Sequence, residues 1–443
     1  STQAKTLFPY TTLFRSAQVA DFQVVGEYDD KTAIHDLAEK SDVLTYEFEN
    51  VDAESIDEVR HLVAAPQGTD LLRVTQDRIH EKTFINRHGI ETAPWREVNT
   101  FEELDAAIDD LHYPCVLKTR SGGYDGHGQH VLRNDSDLEK IRARGDRGGG
   151  FPPSILEGFV DFAFEASILV SGNGKDYVTF PIVRNDHRNN ILHMTIAPAE
   201  VSPEIARTAH EMALALARGF ELAGTLAIEL FITKDGRVVV NELAPRPHNS
   251  GHYTIEACSI DQFDAHIRGI AGWPLIQPKL LSPAVMVNVL GQHVAPTRAL
   301  IADHPEWNVH DYGKAQVRHN RKMGHITVLT DDTAATVEAL ATLTQAEQDR
   351  LAQLSADLAG DPARAARQLI ALKTKIEGQI ARLDRLFASI SEDNANSLRR
   401  LAVDCDAAFR AAEAASSAIF RDEPLPQIGS EVWQALWVSA RAF

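Results

Sequence analysis

The chain has 443 residues, 44% of them hydrophobic, enough for two or three domains each with its own core. A formal net charge of -19 argues against general binding to nucleic acid or to an anionic membrane, but leaves room for a local basic site for a phosphorylated small molecule. No apolar run reaches transmembrane length and no secretory pattern opens the chain, while Cys115, Cys258 and Cys405 are too widely spaced to suggest a disulfide framework or a metal cluster; a cytoplasmic globular protein is expected.

The opening stretch STQAKTLFPYTTLFRS alternates poorly and has no element to pair with, so residues 1–16 are expected to be a foreign or disordered leader. The coherent pattern then runs strand (DFQVVG), helix (DKTAIHDLAEK) and strand (DVLTYEF), a strand-helix-strand piece of a parallel sheet with too few strands to be complete. Residues 17–75 therefore read as a truncated N-terminal Rossmann-like domain with its first portion missing.

A body rich in strands follows, over residues 76–275. Thr100 and Glu103 frame the start of the helix TFEELDAAIDDL, and the strand PCVLKT comes next. In RSGGYDGHGQHVL, Gly122, Gly123, Gly126 and Gly128 allow a backbone to fold closely over a ligand, with Lys118 just before them. Converging N–H groups and a lysine suit phosphate, although the spacing is neither Walker A nor the dinucleotide fingerprint, and a plain glycine-rich hairpin turn fits equally well. SILEGFVDFAFEASILV reads as two strands and a connector, either an ordinary turn or a place where an ATP adenine meets backbone groups, with Glu157 and Glu165 as polar candidates.

The sharpest local expectation lies in TLAIELFITKDGRVVVNELAP. With Asp235-Gly236 as a two-residue turn, Lys234 opposes Arg237, and stepping outward sets Glu229 against Glu242 on one face. Adjacent like charges repel unless a cation shares them, and magnesium takes such carboxylates together with nucleotide phosphates. A solvated glutamate pair is the alternative, weakened by the apolar run LAIELFI around Glu229. Beyond Glu242 come Arg246, His248, Asn249, Ser250 and His252, a set able to clamp an oxyanion and move a proton, as a phosphoryl-transfer rim requires.

Residues 276–344 suggest a small C-terminal β-rich domain. Further on, Leu369, Leu372, Ile376, Ile380, Leu383, Phe387 and Ile390 form one helical stripe. Ser430 can cap a last helix whose Val432, Trp433, Leu436 and Trp437 face one way, and the sequence stops there. Residues 345–443 thus read as a truncated helical hairpin or coiled-coil-like appendage, dispensable for chemistry, with a helix-mediated partner as the other reading.

The stretches LTYEFENV, QDRIHEKTF, KTRSGGYDGHGQ, PIVRNDHRNNILHMTIAPA, VNELAPRPHNSGHYTIEAC and YGKAQVRHNRKMGHITV, spanning about residues 17–331, resemble the N5-carboxyaminoimidazole ribonucleotide synthase family of purine biosynthesis. That resemblance implies an α/β and α+β chain with an ATP-grasp fold, the N-terminal piece being a pre-ATP-grasp domain. It implies ATP, Mg2+, bicarbonate and aminoimidazole ribonucleotide, with carboxyphosphate as the intermediate and a homodimeric core. It further implies that Lys118, Gly123, Gly126, Glu157 and Glu165 bind the nucleotide, that Glu229 and Glu242 bind magnesium, and that Arg246, His248 and Asn249 handle bicarbonate. Tyr124 and Asp125, with Lys314, Arg321 and Lys322, would meet the ribonucleotide. Four departures stand out: the leader in place of a glycine-rich acceptor turn, His127 where the family has lysine or arginine, Gly158 where it has a second glutamate, and no proline-glycine turn in RHNRK. Another ATP-grasp carboxylase, a ribonucleotide transformylase, or a nonenzymatic interaction protein are the competing readings.

Overall fold

A computed structural model describes residues 5–8, 20–122, 128–144, 151–314 and 316–341. The helical stripe and the capped last helix of the C-terminal stretch lie outside the described residues. The chain divides into two compact units, one within 1–288, 304–314 and 324–337, the other within 289–303, 315–323 and 338–443.

Among the described residues, eight strands run side by side in one sheet: Val238–Ala244, Ala223–Thr233, Phe162–Asn173, Val183–Arg188, Ile191–Ala197, Ala284–Leu290, Lys322–Leu329 and Trp307–Asp311. A ninth, Tyr177–Thr179, pairs with Phe162–Asn173. Alternation along the strands divides the side chains between two faces. Ala166, Ile168, Val170, Leu226, Ile228 and Leu230 turn to one face, where they meet Ala209, Ala213, Leu216 and Ala217 of helix Pro203–Gly219. The small alanines let that helix lie close, and Ser202 caps it by accepting the Ile205 N–H. Leu169, Ala227 and Ala244 turn to the other face, against Tyr253, Ala257 and Ala265.

A second sheet, ordered Trp95–Val98, Ser154–Gly158, Cys115–Thr119 and Gln129–Leu132, is antiparallel throughout. Helix Phe101–Leu111 covers it with Leu104, Ala107 and Ile108. Its start follows the expected pattern: Thr100 accepts the Glu103 N–H at 3.1 Å, while the Glu103 carboxylate reaches back to accept the Asn99 N–H at 2.7 Å.

Two expectations change near the N-terminal end. Lys5–Phe8 forms a strand parallel to Phe22–Val25, so the opening stretch does have an element to pair with; its Thr-Leu-Phe run is strand-forming even without alternation. The strand expected over 42–48 reduces to a single parallel bridge between Val43 and Ala64, because the Tyr46 N–H is drawn instead to the Gln67 side chain. The β-rich stretch expected over 276–344 supplies Ala284–Leu290, Lys322–Leu329 and Trp307–Asp311, which continue the main sheet past Ile191–Ala197, with Met286 opposite Thr195.

Helix Gln262–Ile270 approaches the main sheet so closely that a Cβ on Gly269 would lie 2.3 Å from the Gly172 carbonyl oxygen and 2.7 Å from the Gly224 nitrogen. Both neighbours are backbone and cannot swing away. Gly269→Ala is expected to lower unfolding stability by about 1–3 kcal/mol, read as an earlier urea midpoint at unchanged slope.

Candidate active site

The pairing of Ala223–Thr233 with Val238–Ala244 sets Glu229 opposite Glu242, as expected. The route differs. Thr233, not Lys234, meets Arg237 through the Thr233 N–H to Arg237 carbonyl bond at 3.0 Å, so the loop holds three residues instead of two. The register is Ile232 with Val238, Phe231 with Val239 and Leu230 with Val240, then shifts by one residue at Asn241. That bulge turns Glu242 from the face of Val238 and Val240, which is core, to the face of Glu229.

Ser167 lies opposite Glu229 on the next strand, and Glu165, two residues away, lies opposite Asn185, which in turn faces Thr195. A polar row therefore crosses five strands of the sheet. Glu242 and Glu229 each have a side-chain nitrogen beside them: Arg78 Nη1 is 3.2 Å from Glu242 Oε2, and His248 Nε2 is 3.2 Å from Glu229 Oε1.

Helix Arg78–Arg87 supplies the next layer, its N-terminus capped by Asp77, which accepts the Ile79 and His80 N–H groups. Lys82 Nζ donates to the Asn241 carbonyl at 2.6 Å and Glu81 accepts the Leu243 N–H at 2.7 Å, so the bulge has its backbone groups satisfied by this helix. Lys82 also lies 3.4 Å from Glu157 Oε1, and Lys118 Nζ donates to Glu157 Oε2 at 2.8 Å. All three side chains are buried. Burial alone would raise the Glu157 carboxyl, but Lys82 and Lys118 outweigh it and hold it down at about 2. Burial likewise lowers Lys82, with Glu157 opposing, and pushes Glu81 up to about 7 against the pull of Lys82.

Beyond Glu242 the rim meets the N-terminal region. Arg246 Nε donates to Glu49 Oε2 at 2.6 Å, and Gln67 Nε2 donates to the Pro245 carbonyl at 2.7 Å. Burial disfavours the Arg246 charge, yet Glu49, Glu47 and Glu229 together raise its pKa. Burial raises Glu47, opposed by Arg246 and Lys314. Two buried amide atoms in this region, Asn241 Oδ1 and Asn249 Nδ2, lack hydrogen-bond partners among the described residues. A buried donor without a partner is costly unless an acceptor is supplied.

Protein-family models match three stretches: the ribonucleotide synthetase preATP-grasp domain over residues 11–76, the ATP-grasp domain over 83–263 and the phosphoribosylaminoimidazole carboxylase C-terminal domain over 284–339. The N5-carboxyaminoimidazole ribonucleotide synthase of Bacillus subtilis (strain 168) is 44% identical over 318 residues, 70% of this chain and 81% of the relative. The chain belongs to the N5-carboxyaminoimidazole ribonucleotide synthase family. Among solved structures, an ADP complex of such a synthetase superposes with a TM-score of 0.74 at 42% identity, covering 77% of this chain and 90% of that one. The Aspergillus clavatus enzyme, in complex with ADP and 5-aminoimidazole ribonucleotide, superposes at 0.70 with 27% identity, covering 78% and 98%. ATP-grasp ligases are thus its kin, and the fold expected from the sequence is the one found.

The residues carried over from this synthase family sort into three groups. Lys118 and Glu157 come together as a buried ion pair, and Glu229, Glu242, Arg246, His248 and Asn249 gather around the polar row and its rim. Glu165 lies on the same row, 2.9 Å from His187 Nδ1. Gly123, Tyr124, Asp125, Gly126 and His127 lie outside the described residues, between Gly122 and Gly128 of a hairpin that begins just after Lys118. Lys314 belongs to the first unit, its Nζ 5.6 Å from the Tyr312 ring, whereas Arg321 and Lys322 belong to the second, where Arg321 donates to the Gln316 carbonyl at 3.0 Å.

Arg78, Glu81, Lys82, His187 and the Glu47–Glu49 pair escaped reading from the residues alone. Their only signal was the charge density of DRIHEK, so close to a strand-rich body, and the two glutamates of YEFEN. Glu157→Gln tests the buried triad. It leaves two ammonium groups facing one another without a counter-ion, which is expected to cost about 3–5 kcal/mol at neutral pH. With its folded pKa near 2 against an ordinary 4.5, Glu157 contributes stability that is complete above the higher value and is lost as pH falls toward the lower. The gap between parent and variant urea midpoints should therefore narrow as pH falls from about 4.5 toward about 2.

Proposed function

We propose that this chain carboxylates 5-aminoimidazole ribonucleotide on its exocyclic amine, using ATP and bicarbonate through carboxyphosphate, with the polar row and its rim as the reaction centre. The observation that carries this reading is the opposition of Glu229 and Glu242 on the sheet face from which Arg246, His248 and Asn249 follow. Lys118, with Lys82 and Arg78 beside it, offers positive charge to the nucleotide phosphates. Glu157 acts in this reading as the buried counter-ion that holds both lysines in place, and Glu165 with His187 serves the nucleotide's polar groups.

Magnesium fits the carboxylate pair. Glu229 and Glu242 would hold it through carboxylate oxygens, the ligand type this ion prefers. When bound, it supplies charge neutralisation for the transferring phosphoryl group. The chain's own groups do the rest. Arg246, steered by Glu49, orients the bicarbonate oxygens; the unpaired Asn249 amide donates to one of them; His248 adds a further contact beside Glu229. Lys314, near Glu47, offers charge to the ribonucleotide, as Arg321 and Lys322 do in their own unit, and the family likeness assigns Tyr124 and Asp125, outside the described residues, to the same substrate. A cytoplasmic location is part of the same reading, supported by the free, buried thiols of Cys115 and Cys258, which need no oxidising compartment.

The test is a turnover assay with ATP, bicarbonate and 5-aminoimidazole ribonucleotide, measuring phosphate release and carboxylated product together. Equal yields of the two are expected, and phosphate release that is indifferent to the ribonucleotide would refute the assignment. Glu229→Gln and Glu242→Gln each keep volume and lose charge; turnover at saturating ATP should fall by about 10²–10³-fold with the melting temperature nearly unchanged. Ordinary magnesium dependence in both variants would remove the carboxylate pair from the metal site.

A further inference from the structure

His248 stands at the end of a line of buried hydroxyl and amide groups whose hydrogen bonds all point one way. Thr195 Oγ1 donates to Asn185 Oδ1 at 3.0 Å, Asn185 Nδ2 donates to Ser167 Oγ at 2.9 Å, and Ser167 Oγ donates to Ser250 Oγ at 2.8 Å. Ser250 Oγ then lies 2.8 Å from His248 Nδ1. Thr195, Ser167 and Ser250 have no exposed surface and Asn185 is only 4% exposed, so water cannot substitute for a missing partner along this line.

The direction of the line follows from proton counting. A serine hydroxyl has one proton. Ser167 gives its proton to Ser250, so the single Ser250 proton is left for His248 Nδ1. The backbone agrees, with a longer contact: the Ser250 N–H, which can only donate, points at the same Nδ1 at 3.3 Å, where His248 serves as the cap of the short turn Asn249–Gly251. Two donors meet at one ring nitrogen, so that nitrogen carries a lone pair. The His248 backbone is fixed as well, its N–H donating to Gln262 Oε1 at 2.7 Å and its carbonyl accepting from Gln262 Nε2 at 2.8 Å.

We infer that Thr195, Asn185, Ser167 and Ser250 are positioning residues that hold neutral His248 in the Nε2–H tautomer, so that it presents a hydrogen-bond donor, not a proton acceptor, to the reaction centre. The inference rests on the proposed function for its catalytic meaning, since it assigns His248 to gripping an oxyanion alongside Asn249 and Arg246. The basic nitrogen, Nδ1, faces the buried line and is out of reach of any substrate on the Glu229 side. A proton leaving the bicarbonate or the acceptor amine must therefore go to another group.

The experiment uses the full chain without substrate, labelled with 15N-histidine and studied in mildly alkaline buffer; long-range proton–nitrogen correlations distinguish the two neutral tautomers from each other and from the doubly protonated ring. The His248 signals are assigned by their loss in His248→Gln. The parent should show the Nε2–H pattern, and an Nδ1–H pattern would overturn the inference whatever the variants do. Ser167→Ala cuts the line one residue short of Ser250, and Asn185→Asp turns its direction by accepting from both neighbours; each should shift the signals toward a mixture, and unchanged spectra in both would show that the line does not set the tautomer. In turnover, Ser167→Ala should lower kcat about tenfold with the KM for ATP unchanged, the pattern of lost orientation at the centre. Because the spectra need no turnover, they decide the tautomer even if the carboxylation assay fails.

Discussion

The site depends on how helix Arg78–Arg87 holds the bulge at Asn241. A bulge frees backbone groups from the ladder, and a buried free carbonyl is costly unless something donates to it. Lys82 does so at Asn241, Glu81 accepts from Leu243 on the far side, and Arg78 reaches Glu242. Three consecutive functions on one helical face thus fix a single irregular strand. Without the bulge, Glu242 would share the face of Val238 and Val240 and turn into the core.

The same helix explains why so much charge can be buried beside a hydrophobic sheet. Lys82 and Lys118 share Glu157, and neither ammonium would be tolerated there alone. Such an arrangement adds little net stability, but it leaves positive groups rigidly placed and poorly solvated, the condition under which they act most strongly on an anion. Rigidity also comes from the N-terminal region. Gln67 joins the Tyr46 N–H, the Thr45 hydroxyl and the Pro245 carbonyl, and Glu49 fixes Arg246, so the rim is held from both sides of the same unit.

A sheet with one face packed by apolar side chains under a helix and the other crossed by a polar row solves two problems at once. The alanine-lined helix Pro203–Gly219 seals the first face. On the second, each polar side chain finds a neighbour on the adjacent strand, because residues in register lie side by side. Ser167 opposite Glu229, and Asn185 opposite Thr195, are consequences of pairing, and the directional line to His248 is built from them.

The sequence alone determined a good deal. Alternation and turn residues located the hairpin around Asp235 and Gly236, the capped helix after Thr100 and most strands of the body, because these signals are local. The motifs around Lys118 and Glu242 were compatible with phosphate and magnesium chemistry, but a plain hairpin turn and a solvated glutamate pair stayed open until the longer matching stretches were weighed together. The opposition of Glu229 and Glu242 was also legible, although the counting that reached it assumed a two-residue loop and a regular ladder, and the actual loop of three is offset by the bulge. What only the tertiary structure decided is which distant groups complete the site. Arg78, Lys82, Glu49, Asn185 and Thr195 are far from Glu242 along the chain, and their contacts follow from helix docking and strand order, which no periodicity encodes. The same holds for the direction of the hydroxyl line and for the C-terminal strands, which joined the main sheet because the edge strand Ile191–Ala197 offered them its unpaired backbone.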